Sequence, residues 1–77
     1  MSELEKSLLR FLASHNDGEY KEGVLLADFM RKNQIAGDRV NQDCVKNAIN
    51  NCIENGFVEH DEDLYRFYLT PLGRSQI

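Results

Sequence analysis

The 77-residue sequence predicts an α+β fold in one domain, residues 1–77, with three helices, a two-stranded β-hairpin and a short C-terminal helical turn. Three observations carry that prediction. Apolar residues recur with the helical period in three successive stretches up to Glu54. From Phe57 to Leu69 the period drops to two, as in strands. Between the two regimes stands Asn55-Gly56, a helix stop.

The first helix falls in residues 2–15. Ser2 and Glu5 form an S-x-x-E capping box, and Leu4, Leu8, Phe11 and Leu12 make one apolar stripe behind it. His15-Asn16-Asp17-Gly18 stops it and turns the chain. A second helix is expected over residues 22–34. Leu25, Leu26, Phe29 and Met30 supply its apolar side, and Arg31 and Lys32 suit the negative end of its dipole. The connector from Gln34 to Asp38 has one apolar anchor, Ile35. The third helix, residues 41–55, is expected to start on Asn41 as its N-cap. Val45, Ala48, Ile49, Cys52 and Ile53 face inward, while Asp43, Lys46, Asn47, Asn50, Asn51 and Glu54 face outward. Gly56 suits the left-handed position after the helix, and Phe57 the apolar contact back to its last turn.

A first strand is expected at residues 57–60 and a tight acidic turn at Asp61-Glu62-Asp63. The second strand runs from Leu64 to Leu69. Strict alternation puts Tyr65, Phe67 and Leu69 on its inner face and Leu64, Arg66 and Tyr68 on its outer face. Thr70-Pro71 reads as an N-cap followed by proline at the first helical position. Phe11, Phe29, Phe57 and Phe67 are core candidates.

Composition narrows the function. The net charge is −4, and no apolar run reaches the length of a membrane-spanning helix. The first residues, MSELEKSLLR, lack the apolar stretch of a signal peptide, so a cytoplasmic location is expected. Cys44 and Cys52 on one helix stand roughly 12 Å apart along its axis, too far for a disulfide. Both are expected to be buried or half-buried thiols in a reducing compartment. With His15 and His60 the only other soft ligands and no CxxC pair, no metal site is expected, and no cofactor. The carboxylates, histidines and serines stand in no catalytic pattern, so the chain is read as a non-enzyme.

Helix, helix, helix, hairpin and a closing Leu-Thr-Pro-Leu-Gly-Arg resemble the winged helix-turn-helix superfamily of small bacterial and phage DNA-binding regulators. The likeness is carried by Ala48-Ile49 and Ile53, by Glu54-Asn55-Gly56-Phe57-Val58 at the helix-to-strand junction, and by Tyr68-Leu69-Thr70 with Gly73-Arg74. It implies a third helix, residues 41–55, that reads double-stranded DNA in the major groove, and a hairpin wing beside the backbone. The matching positions are Asn41, Gln42, Lys46, Asn47 and Asn50 on the helix. Asn and Gln side chains pair with adenine, and Lys with guanine or phosphate. Arg39, just ahead of the helix, and Arg66 on the wing are expected phosphate contacts. The implied role is a sequence-specific transcription regulator, of a size that fits a phage or mobile element. It would act as a homodimer on two half-sites.

The charge of the wing points elsewhere. Asp61, Glu62 and Asp63 occupy its tip, where phosphate would repel them. The alternative is a winged-helix adaptor or anti-repressor that binds a protein partner through Asp61, Glu62, Asp63, Leu64 and Tyr68.

Overall fold

The computed structural model describes residues 1–77 and is an α+β fold. In chain order it contains α1 (Glu3–Ala13), β1 (Glu19–Lys21), α2 (Leu25–Lys32), α3 (Arg39–Glu54), β2 (Val58–Asp61), β3 (Arg66–Leu69) and α4 (Pro71–Arg74). The strands form one antiparallel sheet in the order β1-β3-β2, so the last strand lies in the middle.

Helix α1 starts as its sequence dictates. Ser2 Oγ accepts from the Glu5 N–H at 3.1 Å, and Glu5 Oε1 accepts from the Ser2 N–H at 2.8 Å. Two otherwise orphaned donors are thereby satisfied. The helix buries Leu8, Leu9, Phe11 and Leu12. These meet Leu25, Phe29 and Met30 of α2, Val45, Ile49 and Cys52 of α3, and Val58, Phe67 and Leu69 of the sheet in one core. Phe57 packs half-buried at its edge. Burying each large apolar side chain stabilises the fold by about 1.5–3 kcal/mol.

The end of α3 also follows the sequence. Gly56 takes φ +77°, the Phe57 N–H donates to Cys52 O at 2.9 Å, and the Gly56 N–H donates to Ile53 O at 3.1 Å. This is the paired C-terminal capping motif that a left-handed glycine permits. Thr70 caps α4 through its Oγ1, which accepts from the Gly73 N–H at 2.9 Å and donates to Gly56 O at 2.6 Å. The short α4 is thus tied to the end of α3.

Several elements differ from the sequence expectation. The sheet has three strands rather than two, because Glu19–Lys21 pairs with Arg66–Tyr68. The second helix is shorter than residues 22–34: Glu22–Val24 is a 3-10 turn and the α-helix spans Leu25–Lys32. The third helix begins at Arg39 with Asp38 as its N-cap, not at Asn41. Asp38 Oδ1 accepts from the Asn41 N–H at 2.9 Å, which places Asn41 inside the first turn. In the hairpin, Asp61 belongs to β2, and residues Glu62–Tyr65 form the turn. Tyr65 adopts φ +54°, which breaks the alternation, and it lies 67% exposed rather than inward. Cys44 is exposed, whereas Cys52 is buried, because eight residues of helix rotate the second thiol by about 80° towards the core. No helix is long and apolar enough to cross a membrane.

Candidate interaction surface

Two surfaces bear on function: the outward face of α3 and the tip of the β2–β3 hairpin. On α3 the first turn is occupied by its own capping. Asn41 Nδ2 donates to Ala36 O at 3.1 Å and to Asp38 Oδ2 at 3.2 Å. Gln42 Nε2 donates to Gly37 O at 2.7 Å. Both amides thereby tie down the exposed connector ahead of the helix through its carbonyls. Arg39 is the first helical residue rather than a preceding one, and its Nε stands 3.7 Å from Asp43 Oδ1. Lys46, Asn47 and Asn50 are exposed and make no side-chain bond to the rest of the chain. Lys46 and Asn50 border a cavity of about 300 Å³ with Glu22, Leu25, Leu26, Ile49 and Phe67. The charges on this outward face balance: Arg39 and Lys46 against Asp43 and Glu54.

The expected wing arginine is also engaged. Arg66 Nε lies 2.9 Å from Glu19 Oε1. Arg66 pairs with Lys21 across the ladder, so Glu19 reaches it as a diagonal neighbour, a distance that long side chains bridge.

The hairpin tip is built by Asp61. Its Oδ1 accepts from the N–H groups of Asp63 at 3.0 Å and Leu64 at 3.1 Å, an Asx turn that reverses the chain. Tyr65 O accepts from the Glu22 N–H at 2.8 Å, so the tip is fastened to the segment ahead of α2. His60 adds a second fastening. Its Nε2 lies 2.8 Å from Glu22 Oε1, and its ring stacks on Phe67 with centroids 4.6 Å apart. This anchored tip lifts Leu64 and Tyr65 into solvent, 61% and 67% exposed. Around them Glu59, Asp61, Glu62 and Asp63 form no ion pair. Tyr68 sits half-buried on the strand behind. Burial, with Glu19, Asp61 and Glu59 adding to it, pushes its phenol above the usual value.

The structure therefore brings Lys46, Asn47 and Asn50 together on one exposed face. It commits Arg39, Asn41, Gln42 and Arg66 to intramolecular partners. Asp61, Glu62, Asp63 and Leu64 share the hairpin tip, and Tyr68 lies apart from it on β3. The sequence reading missed Tyr65 at that tip. No local signal marked it, because Tyr65 continues the alternation in sequence and is turned outward only by its left-handed φ in the four-residue turn. Comparison of the chain with protein-family models, curated proteins and solved structures finds no match.

Proposed function

We propose that the chain is a winged-helix interaction module that docks a basic protein partner on its acidic hairpin. The winged-helix reading is supported by the order of elements, with α2, α3 and then the hairpin following one another without a break. The partner reading is carried by one observation. The two arginines expected to meet phosphate are paired with carboxylates of their own chain, while the hairpin tip presents unpaired carboxylates around exposed Leu64 and Tyr65. Surface ion pairs are individually weak, so the decisive feature is local charge. Four carboxylates against one arginine between Glu59 and Arg66 repel a phosphate backbone and attract a lysine- or arginine-bearing segment. Leu64 and Tyr65 supply the apolar anchor that such a contact needs.

A second reading is favoured by Lys46, Asn47 and Asn50, exposed on consecutive outward positions of α3 and free of partners. In that reading α3 enters the major groove of double-stranded DNA, and two copies span two half-sites.

An amide NMR titration at low salt separates the two. A Lys- and Leu-containing peptide is expected to shift Glu62–Tyr65, and added salt to weaken it. Leu64→Ser with Tyr65→Ser is expected to lower peptide affinity without loss of fold. If the peptide leaves the hairpin unmoved while a short duplex shifts Lys46, Asn47 and Asn50, the DNA reading replaces the first.

A further inference from the structure

Away from both surfaces, a shallow recess of about 240 Å³ opens between α1 and α2. Ser7, Arg10, Phe11 and Ser14 line it from the α1 side, and Lys32 and Asn33 from the end of α2. No carboxylate lines it, in a chain with thirteen acids against nine lysines and arginines. Neither Arg10 nor Lys32 forms an ion pair, although most of the other cations do. The recess is therefore a local positive site on an acidic protein.

Its surroundings preserve that sign. An adjoining recess shares Phe11 and Lys32 and contains one carboxylate, Asp28. Both oxygens of Asp28 are occupied, Oδ2 by the Tyr20 hydroxyl and Oδ1 by Arg31 Nη2 at 2.9 Å. Its charge is thus already shared with Arg31, and it forms no ion pair with Lys32. Helix C-termini carry partial negative charge, which disfavours anions. Here that charge is partly covered: Ser14 Oγ donates to Phe11 O at 2.8 Å, and Asn33 Nδ2 donates to Phe29 O at 2.9 Å.

We propose that this recess binds a phosphate group. The planar Arg10 fork can donate to two oxygens and Lys32 to a third. The Ser7 hydroxyl, which has no partner within the chain, adds another donor. A tetrahedral dianion accepts from all of these at once, whereas a carboxylate has only two oxygens to offer. The proposal is independent of the hairpin reading, since the two surfaces share no residue.

The probe is inorganic phosphate, followed by amide NMR against chloride at equal ionic strength. Saturable shifts are expected at Ser7, Arg10, Ser14, Lys32 and Asn33. Arg10→Ala and Lys32→Ala should each weaken binding about tenfold or more, as loss of a charge-assisted bond does. Arg10→Lys should fall between wild type and Arg10→Ala. A purely helix-capping role for the two cations predicts lower stability in these variants but no phosphate binding to lose. A phosphoserine peptide forms the second arm. Tighter binding than inorganic phosphate assigns the group to a protein side chain, and equal binding assigns it to the free ion. If neither probe saturates, or if the alanine variants bind both like wild type, the proposal is overturned.

Discussion

The Tyr20 hydroxyl donates to Asp28 Oδ2 at 2.5 Å, joining β1 to α2. That bond, with Arg31 assisting, holds the Asp28 carboxyl below its ordinary range. The same bond holds the Tyr20 phenol above its own. The lowered carboxyl contributes stability that is present above the ordinary carboxylate range and lost as pH falls through its folded value. The raised phenol contributes stability that is present below the ordinary phenol range and lost as pH climbs through its folded value. Tyr20→Phe should therefore lower the urea midpoint at neutral pH, and the gap from wild type should narrow in acid. Carbon NMR of the Asp28 carboxyl should show its titration moving up in the variant. An unmoved titration would mean that Arg31 alone sets it.

Gly73 and Gly23 should respond in opposite directions to alanine. Alanine is normally favoured over glycine in a helix by about 1 kcal/mol. At Gly73, however, a Cβ would fall 2.1 Å from Phe57 O and 2.9 Å from Leu69 Cδ1. Gly73→Ala should destabilise by roughly 3 kcal/mol, the upper end of ordinary overpacking. At Gly23 nothing lies within 4 Å of the added carbon. Gly23→Ala should raise stability by about 0.5 kcal/mol through the unfolded chain. Urea unfolding of the two variants checks both signs.

The start of α3 can be tested by its caps. Asp38→Ala should cost about 1 kcal/mol, the usual loss for an N-cap acceptor. Asn41→Ala should cost less, because it removes bonds to Ala36 and Asp38 without removing the cap itself. The reverse order in urea unfolding would restore Asn41 as the start of the helix.

The two thiols should differ in reactivity. Cys52 is buried, and burial pushes its thiol up to about 11. Cys44 is exposed on the same helix. A thiol reagent at mildly alkaline pH should label Cys44 at once and Cys52 only on unfolding. Rapid labelling of both in the native protein would place Cys52 outside the core.

The elements legible in the sequence were those that contain their own signal. The Ser2–Glu5 box, the Gly56 stop and the Thr70-Pro71 start are local, and each takes its expected place. Strand β1 was not legible because Glu19-Tyr20-Lys21, with one aromatic in three residues, is too short to establish a period and becomes a strand only by pairing with residues far along the chain. The Arg66–Glu19 pair was hidden for the same reason, since it depends on that register. Asp38 and Asn41 both suit an N-cap, and the choice between them depends on how the connector from Gln34 is satisfied. Of the expected DNA-reading set, Lys46, Asn47 and Asn50 could be placed by helical angle alone. The engagement of Asn41 and Gln42 could not, because their partners are backbone carbonyls of the connector.

The middle place of β3 bears on how the chain is made. During synthesis β1 leaves the ribosome early and waits for Arg66–Leu69, which follow more than half the chain later. Until then β1 and β2 both lack their only mate, and Gly18 lacks Leu69, whose Cβ would stand 2.8 Å from a carbon added there. Helical turns ahead of β3 can form on the tethered chain, but the sheet closes only after Arg66–Leu69 have been made. A stalled or shortened nascent chain would thus expose an apolar helical surface with no sheet to cover it, and would be a target for chaperones and proteases.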